Sequence, residues 1–175
     1  MRGIFDEAFS AFLKRERLLI ESGVNERTLC SRLAMILETE AHKAGLEEYF
    51  ADPDYNRKQG GRVKTIIGAD AREIVINADL ILHSRGNIVA RDNLIAIEMK
   101  KSTRPEREKE KDRERLTAMT KSTYDNIWSA DGITHPEHVC GYELGVFIDL
   151  DISALAVIVE YYIDGICSDR RRVAF

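Results

Sequence analysis

Two short apolar runs in the middle of the chain, residues 73–83 and 93–99, carry ionisable side chains where strand-forming sequences ordinarily carry apolar ones. Both runs are rich in Ile, Val and Leu, and Arg85-Gly86-Asn87 between them is a turn signal. Consecutive strands tend to be neighbours in space, so this pair constrains the fold more than any other feature. In a strand, residues two apart share a face. Glu98 and Lys100 therefore project together, and Ile95, Ile97 and Met99 form an apolar face on the other side. Asp79 shares a face with Asn77, Ile81 and His83. With the turn centred near Ile88-Val89, antiparallel pairing sets Asp79 opposite Glu98. Two carboxylates and an ammonium then occupy neighbouring cross-strand positions.

Helical patterns flank these runs. Phe5, Phe9, Phe12 and Leu19 lie near helical spacing and predict a helix over 5–21, broken at Ser22-Gly23. A second helix starts at Asn25, a favoured N-cap, repeats apolar residues at Leu29, Leu33, Ile36 and Leu37, and ends near Gly45. Residues 51–61, with Pro53 and Gly60-Gly61, read as an extended or looped segment. The charged run 104–115, opened by Ser102, Thr103 and Pro105, predicts a helix whose front half is a solvated face. Strands over 142–150 and 154–163 follow. Helix, helix, strands, helix, strands predicts an α/β fold, a mixed sheet flanked by helices, as one domain over residues 1–175.

Phosphodiester hydrolysis needs the groups gathered in the middle of the chain. Two carboxylates on one face hold a hard divalent cation such as Mg²⁺. Such an ion lowers the pKa of a bound water and offsets charge at phosphorus, and a nearby lysine orients or deprotonates the water or stabilises the developing charge. An (Asp/Glu)-x-Lys tripeptide is a weak signal alone, but the sequence holds one, and it falls inside an apolar strand rather than in the charged run. The alternative is a surface salt-bridge pair on a half-exposed strand.

Asp79-Leu80-Ile81 followed by Glu98-Met99-Lys100 resembles the PD-(D/E)XK nuclease superfamily, and the chain is similar to a group of its small bacterial members. Asn25-Glu26-Arg27-Thr28 with Arg32-Leu33-Ala34 and Leu37 resembles their N-terminal helix motif. Asp52-Pro53-Asp54-Tyr55-Asn56-Arg57 resembles their acidic-Tyr-Asn-Arg segment, and 112–117 their Asp-x-x-(Lys/Arg)-Leu-Thr element. The similarity spans about 25–120, and the family's Pro before the metal aspartate is Ala78 here. The resemblance implies a restriction-endonuclease-like αβββαβ core and a metal-dependent endonuclease, with DNA first among its substrates. It implies Asp79 and Glu98 as ligands of Mg²⁺ (Mn²⁺ substituting) and Lys100 as catalytic base or stabiliser. It also points to Glu26 as a further acidic residue of the centre; Glu26 continues the stripe of Leu29, Leu33 and Leu37, although a first-turn glutamate answering the helix dipole is an equal reading. The rival is the same fold kept as a DNA- or protein-binding module with little catalysis.

Tyr55, Asn56 and Arg57 are candidates to grip a phosphate or stack on a base. Arg27, Arg32, Arg85 and Lys101 are candidates to line a groove beside the metal, each against the plainer reading of a solvated charge. His135, His138 and Cys140 make a poor zinc site without a fourth ligand. Asp149 and Asp151 are a rival acidic pair that more simply ends a strand, and Arg170-Arg171-Arg172 reads by default as a tail. The formal charge of −4, from 26 basic and 30 acidic side chains, argues against holding a polyanion by bulk attraction. Metal and a local groove must do so instead. Three scattered cysteines predict no disulfide framework and fit a reducing cytoplasm. No apolar run is free enough of acids to span a bilayer. Cutting both strands of a duplex at once would require so compact a chain to act as a homodimer.

Overall fold

The computed structural model describes residues 1–55, 65–67, 73–75, 78–121, 133 and 140–175. Helix α1 (Arg2–Arg15) buries Phe5, Ala8, Phe9, Phe12 and Leu13 on one face. The predicted single helix breaks at Glu16, whose carboxylate accepts from Arg32 Nη2 at 2.7 Å, and resumes as the short α2 (Arg17–Glu21). Gly23, at φ 72°, turns the chain into α3 (Glu26–Lys43). The Asn25 side chain caps α3 as expected, accepting from Thr28 N at 2.8 Å. All three cysteines are free thiols.

Strands β1 (Phe50–Pro53), β2 (Thr65–Ile67), β3 (Glu73–Val75), β4 (Leu80–His83) and β5 (Asn93–Lys101) follow. After α4 (Glu106–Thr120) come β6 (Leu144–Asp151), β7 (Ala156–Ile163) and β8 (Ile166–Ala174). Six of them form one mixed sheet in the order β1-β4-β5-β6-β7-β8, while β2 and β3 pair separately. The succession α3, β1, β4, β5, α4, β6 is the αβββαβ order, within a mixed α/β architecture. Strands β5 and β6 are parallel, which requires the crossover that α4 supplies.

One local expectation is sharpened and two change. The front of the 51–61 segment is an edge strand, β1, because an edge tolerates Pro53 where a central strand does not. The 73–83 run is two strands in different ladders; a short apolar run does not say which neighbour it will pair with. Residues 166–174 are strand β8, not a tail. Asp164 (φ 52°) and Gly165 (φ 76°) both take the left-handed backbone that a two-residue hairpin turn demands, so β8 folds back on β7 with Ile163 opposite Ile166.

The sheet has two covered faces. Leu80, Leu82, Ile95, Ile97, Met99, Val146 and Ile148 meet α1 and α3 in the larger core. Ile81, Ala96, Phe147 and Tyr162 meet Leu116, Ala118 and Met119 of α4 in the smaller one. Close approach of α4 to β6 depends on Gly145, where a Cβ would lie 2.9 Å from Thr120 Cγ2. Among the described residues, no helix is long and apolar enough to cross a membrane.

Candidate active site

Leu80 pairs with Ile97, Ile81 with Ala96 and Leu82 with Ile95, the register expected from a turn near Ile88-Val89. Asp79, one residue before β4, thus stands across from Glu98. Alternation along β5 sends Ile95, Ile97 and Met99 into the α1–α3 core and turns Glu98 and Lys100 toward α4. Asp79 Oδ2 accepts from Met99 N at 2.9 Å and from Lys100 Nζ at 3.1 Å. The three residues chosen from the sequence are therefore brought together.

Two residues not singled out as site residues complete the cluster. Asp112, 3% exposed, lies with its Oδ2 3.0 Å from Lys100 Nζ. Arg115 Nε donates to Glu98 Oε1 at 2.8 Å, and its Nη2 donates to Asp112 Oδ1. Both belong to the Asp-x-x-Arg-Leu-Thr stretch at 112–117, so the sequence did carry a signal for them. It was hidden in a run of charges that reads as solvated surface. The front half of α4 is instead partly inward: Lys109, 5% exposed, bonds Asp149 Oδ2 at 2.9 Å, and Arg113 Nε bonds Glu160 Oε2 at 2.8 Å.

Glu98 is fully buried, and its Oε2 has no hydrogen-bond partner among the described residues. Burial, then the charge of Asp79, push its carboxyl up to about 8 against the pull of Arg115. Burial opposes the charge on Lys100, but Asp79, Asp112 and Glu98 outweigh it and raise its pKa, so Lys100 is an ammonium. Asp112 Oδ2 and Asp149 Oδ1 are likewise buried without a hydrogen-bond partner among the described residues, although Asp112 Oδ2 lies 3.0 Å from the Lys100 ammonium. As the side chains stand, Lys100 and Arg115 lie between the acids, and no three His, Cys, Asp or Glu side chains among the described residues are grouped to hold a metal.

Glu26 sits at the C-terminal end of β5 without touching Asp79 or Glu98 in any described contact. Its carboxylate takes both arms of Arg104, at 2.9 and 2.8 Å, and Lys101 N at 3.2 Å. Hydrogen bonding from Arg104 holds its pKa down at about 2 against burial. Lys101 Nζ donates to Gly23 O at 2.7 Å. Arg27 lies near the centre through Asp54, whose carboxylate it meets at 2.6 Å and whose N donates to Asp79 O at 3.2 Å. Arg85 follows the other end of β4, forked onto Asp52 at 2.7 and 2.6 Å with its guanidinium 4.2 Å from the Phe50 ring centre. The structure does not bring it to the cluster. Tyr55 packs against His83, ring centres 4.6 Å apart. Asn56, Arg57, His135 and His138 lie outside the described residues.

No family model matches the chain, and no curated protein matches it. It is similar to a solved structure described as the cryoEM structure of a DrdV–DNA complex, at 12% identity and a TM-score of 0.48. That match covers 95% of this chain and 12% of the other, so this chain spans about an eighth of that chain's length.

Proposed function

We propose that the chain is a metal-dependent nuclease that hydrolyses phosphodiester bonds of nucleic acid, with DNA as the first substrate to test. The observation that carries this reading is the buried Glu98 carboxylate, one oxygen without a partner, set beside Asp79 and Lys100. A purely structural role has no use for these mutually costly charges on one face. Asp79 and Glu98 would hold Mg²⁺, or Mn²⁺ in its place, which when bound supplies a water of lowered pKa and offsets charge at phosphorus. Lys100, kept charged by its three carboxylate neighbours, suits stabilising the charge that develops on phosphate oxygens better than taking a proton from water. Glu26 joins the centre only if it releases Arg104; otherwise it braces the end of β5. Arg27, Lys101, Tyr55, Asn56 and Arg57 remain the candidates for holding the nucleic acid, and Arg85 is the weakest of that set.

The test incubates the protein with circular DNA, linear DNA and RNA in Mg²⁺, Mn²⁺ or EDTA, beside folded Glu98→Gln and Lys100→Met variants. Cleavage that needs a divalent ion and falls by about 10²–10³-fold in each variant is expected. Cleavage equal in variants and wild type would place the active site elsewhere. No metal-dependent cleavage of any substrate would favour the same fold acting as a binding module.

A further inference from the structure

Helix α4 closes the acidic pair into a ring. Lys100 Nζ stands between Asp79 Oδ2 and Asp112 Oδ2, at 3.1 and 3.0 Å. Arg115 in turn joins Asp112 Oδ1 to Glu98 Oε1. Three carboxylates thus face two cations, leaving one negative charge in excess when all are ionised. Stability alone does not call for this arrangement, since apolar residues of similar volume usually replace a buried ion network without loss. One turn further along α4, Leu116 and Met119 meet the sheet in that apolar way. The Asp112–Arg115 pair is also matched in spacing to Lys100 and Glu98. Three residues apart on a helix are neighbours on one face, and so are two residues apart on a strand.

We propose that Asp112 and Arg115 are positioning residues of this centre: Asp112 holds the Lys100 ammonium against Asp79, and Arg115 fixes Glu98 by Oε1 so that Oε2 is the oxygen offered to an ion. This rests on the nuclease reading above. Neither residue touches the reacting atoms; each acts through the group it holds. The fork of Arg115 matters as much as its charge, because one guanidinium serves two carboxylates at once.

Four proteins test it: wild type, Asp112→Asn, Arg115→Gln and Arg115→Lys. Each is measured for kcat and KM on DNA in Mg²⁺, for Mn²⁺ affinity in the absence of DNA by electron paramagnetic resonance, and for melting temperature. Asp112→Asn and Arg115→Gln are expected to lose about 10- to 100-fold in kcat, with KM for DNA nearly unchanged. Arg115→Gln should bind Mn²⁺ about 10-fold more weakly, and Arg115→Lys should recover part of both losses. An active wild type with kcat and Mn²⁺ affinity matched by the first two variants overturns the proposal and leaves the nuclease reading intact. So does a loss that disappears when activity is expressed per folded molecule. A wild type that neither binds Mn²⁺ nor cleaves sinks the nuclease reading, and this proposal with it.

Discussion

Glu98 has one oxygen on Arg115 and, among the described residues, nothing on the other. Its folded-state pKa of about 8, against an ordinary 4.5, comes first from burial and then from Asp79. Between those values the folded protein binds more protons than the unfolded chain, so stability falls as pH rises. The Glu98 contribution is complete below about pH 4.5 and is lost as pH passes through about 8. In EDTA, wild type should therefore lose several degrees of melting temperature between about pH 5.5 and about pH 8.5, beyond any loss shown by Glu98→Gln. Identical pH slopes for the two proteins would remove Glu98 as the cause. On the proposed function, in which Glu98 holds Mg²⁺, the saturating ion should raise the melting temperature more at the upper end of that range, because a metal takes the deprotonated carboxylate.

Two helices set the geometry around β5, and each depends on a small number of polar contacts. The Asn25 cap fixes where α3 begins and hence where Glu26 meets Arg104 and Lys101. Asn25→Ala should cost about 1 kcal/mol in urea unfolding, and Asn25→Ser much less. In α4 the decisive contact is Lys109 with Asp149, whose side chains are 6% and 12% exposed. Lys109→Met strands a carboxylate under the helix and should cost about 3 kcal/mol or more. Pairing it with Asp149→Leu should restore most of that loss, since both charges are then gone. A double variant as unstable as the summed single changes would show that the two residues contribute independently.

At the scale of the whole molecule, the sheet ends in two edges, β1 and β8. The β8 edge is nine residues long and almost wholly exposed, a form that invites pairing with another chain. Its consecutive arginines oppose this. Arg170 and Arg172 share a face, across from Glu160 and Ile158 of β7, and would repel the same residues on a second copy in most antiparallel registers. Replacing both by Thr should raise concentration-dependent self-association in sedimentation above that of wild type. Unchanged sedimentation would mean that charge does not limit pairing at this edge. The same arginines illustrate how a chain of net charge −4 holds its basic residues locally rather than as a bulk field.

Features that depend on short range and on period are legible in the residues alone. Alternation along 93–100 separated Ile95, Ile97 and Met99 from Glu98 and Lys100, and the turn position set the β4–β5 register that places Asp79 beside them. Asn25 announced the start of α3 because a cap is read from its own next three residues. Features that depend on partners distant in sequence emerge once the chain is folded. Residues 106–113 have too few apolar side chains to mark an inner face, so the burial of Lys109 and Asp112 is set by Asp149 and Lys100 on the sheet face beneath the helix. Glu26 is held by Arg104, 78 residues away, a partner that no local pattern announces. Periodicity reports which side of an element is apolar. It does not report which charge will be waiting on the other side, and around Glu98 that partner charge is what shapes the site.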